Sequence, residues 1–311
     1  MEWFMEQEPV VRLGFLFGVI AIMATWEVLA PRRALTVGKA YRWINNWGVV
    51  ITGTLLTRVI FPAGAVGLAL FVEREGWGLL QVLDLPFWLT VLIALVILDF
   101  AIWAQHVMFH AVPALWRLHR MHHADLDFDL TTGLRFHPIE ILLSFGIKAG
   151  VIVMIGAPAV AVLIFEIILS SLALFNHSNV RIPLGIDRVL RWFIVTPDFH
   201  RVHHSWYPHE TNSNFGFNLS LWDRLLGTYR AQPQDGHEGM TIGINLFRDP
   251  QWERLDKMLV QPFIGPADSY PINRRPEGEA ATWPPAVVSR PAMRKRPDDE
   301  QARGSGPVDQ R

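Results

Sequence analysis

Four runs of this chain are apolar for longer than the core-facing side of a water-soluble domain requires: residues 13–30, 47–72, 85–112 and 141–175. A bilayer's hydrocarbon layer is crossed by about 20 such residues, and only hydrogen-bond-complete helices satisfy their backbone there. The last run is long for one crossing. It is interrupted by Gly156-Ala157-Pro158, which predicts a helical hairpin whose arms are each short for a full span. The chain therefore reads as an all-α integral membrane bundle. The acidic opening, MEWFMEQEPV, is unlike a basic signal-peptide start, so the first run is expected to remain as an anchor. Arg58, costly in lipid, is expected to be buried against protein or to snorkel, and Pro62 to kink the second run. Lys148 and Glu166, inside the hairpin, are expected to face protein.

Between and after these runs lie three histidine clusters. QHVMFH carries His106 and His110, WRLHRMHH carries His119, His122 and His123, and FHRVHHSW carries His200, His203 and His204. The HxxHH spacing occurs twice, whereas 12 histidines scattered over 311 residues would produce it roughly 0.02 times. On a helix, positions i, i+3 and i+4 share a face, so each cluster is expected to present its imidazoles in one direction. Eight histidines are too many for one ion and fit a dinuclear centre. The chain has no cysteine, which removes disulfides, iron–sulfur ligation and thiolate catalysis and leaves nitrogen and oxygen as ligands. HVMFH lacks the glutamate of HExxH, which argues against a zinc peptidase. A net charge of −1 offers nothing to a nucleic acid.

Charge sets the expected orientation. The loop after the first run holds Arg32, Arg33, Lys39 and Arg42, against Arg74 alone after the second, so the former is cytoplasmic. The third run then delivers His106 and His110 to that face, and the hairpin returns the chain there before the second HxxHH. The result is a cytoplasmic histidine-rich helical cap. Asp99, seven residues before His106, is expected to orient a ligating imidazole, with helix packing as the alternative. Residues 263–311, rich in Pro, Gly and charge, read as a mostly disordered tail.

The segments DFAIWAQHVMFH, LWRLHRMHH, RFHPIE, FNHSNV, TPDFHRVHH and NFGFNLSLWDRLLGTY together resemble the fatty acid hydroxylase/sterol desaturase superfamily of membrane di-iron oxygenases. The resemblance covers about residues 99–229, and its last segment contains no histidine at all. It implies that His106, His110, His119, His122, His123, His200, His203 and His204 bind two iron ions, with His137 and His177 as further ligands and Asn176 orienting His177. It implies O2-dependent hydroxylation of a lipid such as a sterol or fatty acyl chain, with desaturation or ether-lipid cleavage as the alternative outcome. A membrane metal-binding or transport protein is the alternative from another class, disfavoured because most of these histidines lie beyond the apolar runs. No segment resembles the cytochrome b5 domain fused to some members, so electrons are expected from a separate ferredoxin, cytochrome or reductase. The arginine-rich stretch 181–191 would dock such a carrier or lie on the membrane surface. The expected organisation is membrane spans over 1–98, a catalytic domain over 99–262 that includes the hairpin, and the tail. Trp103, Phe109, Trp206 and Phe215 are candidates to line the substrate path.

Overall fold

The computed structural model describes residue 3, residues 7–265 and residues 270–272, and these are helical with isolated bridges only. Helix α1 is Glu8–Leu29, α2 Lys39–Ile60, α3 Gly64–Glu75, α4 Phe87–Ala111, α5 Pro113–His123, α6 Pro138–Ile155, α7 Ala159–Asn176 and α8 Pro197–His203. Shorter helices are named below by their residues. Five helical stretches are long and apolar enough to cross a membrane: α1, the α2–α3 stretch to Val82, α4, α6 and α7. The chain is an integral membrane protein. Where Pro62 predicts a kink the helix stops altogether: α2 ends at Ile60 and α3 starts at Gly64.

The α6–α7 hairpin is the centre of the bundle. Helix α7 packs on α1, α3 and α4, and α6 on α2, α3 and α4. The packed cluster there includes small residues, Ala65, Ala69, Ala94, Ala157 and Ala161, among larger ones such as Leu98, Ile152 and Phe165; the small ones let helices approach closely where no hydrophobic effect drives them together. Gly156 closes α6 at φ 67°, and a Cβ there would stand 2.4 Å from the carbonyl oxygen of Trp77. Only glycine fits both the backbone and the space. The amide of Gln81 donates to the Gly156 carbonyl at 2.9 Å, tying down the turn.

At the opposite end the cap is built on a buried ion network. Arg42, counted among the loop cations in the sequence, lies on α2 fully buried, where it binds Asp125 (2.7 Å) and Asp129. Asp127 accepts the backbone N–H groups of Thr36 and Val37 at 2.8 and 2.7 Å. The DLDFD run is thus internal, pinning the loop after α1 to the cap. Arg32 joins it through Asp198 at 3.2 Å, and Arg33 through the Met240 carbonyl at 2.9 Å. The loop cations and the histidine segments accordingly share one side of the bundle. Most of the tail expected over 263–311 lies outside the described residues. Within it, Tyr270 is buried, its hydroxyl donating to the Trp206 carbonyl at 2.6 Å.

Candidate metal centre

Helix α4 carries His106 and His110 one turn apart at its end, where Val112 goes extended and Pro113 opens α5. Proline is suited to that first helical position, having no N–H to leave unpaired. Helix α5 then returns His119, His122 and His123 across the same space. His177 caps the C-terminus of α7. Helix α8 is capped by Thr196, whose hydroxyl accepts from the Phe199 N–H, and carries His200 and His203, with His204 just past its end.

Nine of these rings form two buried groups. His106, His110, His119, His123 and His203 make one; His122, His177, His200 and His204 make the other. Within each group one ring nitrogen per residue lies within 4.8 Å of all the rest. The expectation that each HxxHH faces one way is corrected here. The first motif sends His119 and His123 to the five-membered group and His122 to the other. The second sends His200 and His204 to the four-membered group and His203 across. Down the helix axis i+4 sits about 40° to one side of i and i+3 about 60° to the other, a divergence wide enough for i+3 to serve a neighbouring centre.

The outward nitrogens fix the chemistry of the inward ones. Nδ1 of His106 donates to the Phe215 carbonyl at 2.7 Å, and that of His203 to the Ser213 carbonyl at 2.8 Å. Nδ1 of His119 donates to Glu140 Oε1 at 2.6 Å, and that of His177 to the Ala173 carbonyl at 2.8 Å. Nδ1 of His110 donates to Asn212 Oδ1 at 3.0 Å; the Asn212 amide is itself oriented by donating to Pro208 and Tyr270 carbonyls. A neutral imidazole carrying its proton on Nδ1 has a lone pair on Nε2. The Nε2 atoms of His106 and His119 then face each other at 3.1 Å as two lone pairs. Those of His110, His123 and His203 are buried with no hydrogen-bond partner. Such an arrangement is repulsive by itself and is satisfied by a cation. Burial holds the rings neutral, as ligation requires: it pushes His119 and His177 down to about 3 and lowers His122, His123, His200, His203 and His204 as well. The donor set fits two imidazole-bound metal ions, each ring oriented through its far nitrogen.

Three sequence expectations fall elsewhere. His137 caps α6, accepting from the Ile139 N–H at 3.2 Å and facing the Leu259 carbonyl, and is brought to neither group. Asp99 accepts from Trp222 Nε1 at 2.7 Å, not from an imidazole. Asn176 donates to the Phe217 carbonyl at 2.8 Å, and the ring of His177 is oriented by Ala173. The residues that orient the rings were missed: Glu140, Asn212 and the carbonyls of Ala173, Ser213 and Phe215. Glu140 stood in RFHPIE, the carboxylate of a motif already singled out for its histidine.

NFGFNLSLWDRLLGTY acquires a physical role. Asp223 accepts from the Phe215 and Gly216 N–H groups (2.8 and 2.7 Å), Thr228 Oγ1 (2.6 Å) and Trp103 Nε1 (3.2 Å). It holds the loop whose carbonyls orient His106 and His203. A Cβ at Gly216 would meet the Leu219 carbonyl at 2.8 Å and Asp223 Oδ2 at 2.9 Å, so the loop closes only over glycine.

A cavity of about 260 Å³ adjoins the centre, bounded by His106, His119 and Glu140 and continuing between α4, α6 and α7 past Phe109, Phe136 and Phe217. Of the four aromatics expected on a substrate path, Phe109 lines it. Phe215 packs on the rings of His106, His110 and His203, Trp103 serves Asp223, and Trp206 is buried beside Tyr207.

Residues 91–228 match the fatty acid hydroxylase family. That stretch, which carries all nine grouped histidines, is what this chain shares with the superfamily. Relatives include ornithine lipid hydroxylase OlsE of Rhizobium tropici, 33% identical over 150 residues, which cover 48% of this chain and 44% of that protein. Alkylglycerol monooxygenase of Xenopus tropicalis is 32% identical over 178 residues, 55% of this chain and 38% of the relative. Cholesterol 25-hydroxylase of Rattus norvegicus is 30% identical over 148 residues, 46% and 47% respectively. The chain thus spans less than half the length of these relatives. No solved structure matches it.

Proposed function

We propose that this fatty acid hydroxylase-like chain is an O2-dependent lipid hydroxylase whose nine grouped histidines hold two iron ions. The observation that carries the reading is the cavity: it runs among membrane helices, is walled by Ile102, Phe109, Phe136, Leu169 and Phe217 with polar groups along α6, and ends on the rings of His106 and His119. Such an iron pair, when bound, supplies O2 activation against an unactivated C–H bond. The protein's part is to hold neutral rings in fixed orientation, to keep the carbon to be oxidised beside them, and to exclude water with Phe109, Phe136 and Phe217. Residues 99–262 form the catalytic domain on the spans of 1–98, on the cytoplasmic side indicated by Arg32, Arg33, Lys39 and Arg42. Electrons come from a separate ferredoxin, cytochrome or reductase. For the 181–191 stretch the membrane surface is the better partner, because Leu184, Ile186, Val189, Trp192 and Phe193 are exposed there while Arg191 is buried on Asp187 and the Ala231 carbonyl.

Similarity to alkylglycerol monooxygenases favours ether-lipid oxidation as the second reading. The test is lipid mass spectrometry under ¹⁸O₂ in cells expressing wild type or His203→Ala. A lipid that gains the label with wild type alone bears the proposal out and names the substrate. Loss of two hydrogens without label would make the chain a desaturase. With protein folded and a donor supplied, an unchanged lipid profile would sink the enzymatic reading.

A further inference from the structure

The cavity has a second end. Glu140, Ser144 and Lys148 lie at i, i+4 and i+8 on α6, a single stripe running from the ring of His119 to a point roughly 12 Å along the helix. Gln105 of α4 reinforces the stripe, donating to Ser144 Oγ at 2.8 Å; its own Oε1 is buried without a partner. At the far end Glu166 of α7 receives the ammonium of Lys148 and the guanidinium of Arg12, the latter at 2.9 Å. Arg12 also binds Glu8 at 2.7 Å. Arg58 lines an adjoining cavity together with Arg12, Lys148 and Glu166, so the cluster stands between two openings.

Lys148 and Glu166 lie mid-helix in α6 and α7, with Arg12 one turn into α1 and Arg58 in the last turn of α2. Glu8 and Glu166 pair with Arg12 and Lys148, and Arg58, which lines the adjoining cavity and donates to the Pro62 carbonyl, leaves a cation in excess of the carboxylates. A surplus charge in an apolar layer is costly unless a partner or a ligand meets it. An alkyl chain reaching this end would strand Lys148, Gln105 and Ser144 opposite methylenes. We propose that the inner end is an oxyanion subsite, receiving the carboxylate or phosphate of an amphiphilic substrate whose oxidised carbon rests at His106 and His119. Lys148 and Arg12 donate to the anion, and Ser144 and Gln105 serve polar groups between the two ends. The inference rests on the lipid-oxidising reading and narrows it: an anionic amphiphile is selected over a neutral sterol or hydrocarbon.

Binding is measured on the metal-loaded full chain in detergent, without O2 or reductant, by scintillation proximity with tritiated palmitate, lysophosphatidate and methyl palmitate. At least one of the two anions is expected to bind about tenfold or more tightly than methyl palmitate, the effect of a charge-assisted hydrogen bond. Lys148→Met is expected to erase most of that preference with metal content unchanged, and Lys148→Arg to keep it. Should Lys148→Met lose its metal through misfolding, Arg12→Gln, on the outer helix, decides instead. Methyl palmitate binding as tightly as both anions, or a preference untouched by the deciding variant, overturns the subsite. Because no turnover is read, a failed ¹⁸O experiment beside an intact anion preference would remove the hydroxylase reading and leave the subsite standing.

Discussion

Glu140 accepts the Nδ1 proton of His119 at 2.6 Å, the one carboxylate among the described residues hydrogen-bonded to any of the nine grouped imidazoles. It joins the first membrane arm of the hairpin to the ligand set. A carboxylate on the far nitrogen makes the ring a better donor and fixes its tautomer. Glu140→Ala is expected to lower metal affinity or activity about 10- to 100-fold. Metal analysis after dialysis against graded chelator, set beside turnover, checks it, and Glu140→Gln should fall between the variant and wild type.

His177 and His137 give opposite outcomes. His177→Ala removes a donor from the four-membered group and should lower metal content. His137→Ala should leave metal content intact and cost only the helix cap, about 1 kcal/mol. Elemental analysis of the two purified variants separates a ligand from a cap.

Arg42 is fully buried in the cap between two carboxylates. Arg42→Met leaves Asp125 and Asp129 buried without their shared partner, a loss expected to cost about 3–5 kcal/mol. Thermal unfolding in detergent should show it as a large fall in midpoint, with metal lost in parallel.

His237 makes the cap acid-sensitive. Buried near Arg201, Arg32 and Arg191, and beside an Asp198 already occupied by arginines, it is pushed down to about 3. Its folded pKa lies below its unfolded value near 6.5, so on acidification the unfolded chain takes a proton that the folded chain refuses. Stability contributed by the neutral ring is therefore full above about pH 6.5 and lost as pH falls toward 3. His237→Gln is expected to flatten the stability–pH profile over that window by up to about one proton. Denaturation midpoints at graded pH measure the slope.

What was legible in the sequence was local. Apolar length marked the membrane helices, and histidine spacing marked eight of the nine rings that meet, because both depend on a single helix; the ninth, His177, is isolated in the chain and was reached only through the resemblance. What was illegible depends on partners distant in the chain. Glu140 lies 21 residues from His119, and the Phe215 carbonyl 109 residues from His106. Asp99 does share a helical face with His106, but Trp222, 123 residues away, reaches it first. Arg42 looked like a loop charge because its carboxylates lie more than 80 residues on. A backbone carbonyl leaves no mark in a sequence, so the oxygens that orient His106, His177 and His203 had no signal to offer.

The exchange of the i+3 histidines means that neither half of the centre exists by itself. His122 is held by the helix that supplies His119 and His123 to the opposite group, and His203 by the helix that supplies His200. Emptying one site loosens the frame of the other. Loading should therefore approach all-or-none, with chains carrying a single ion scarce at every metal concentration. The duplicated motif encodes one indivisible pair.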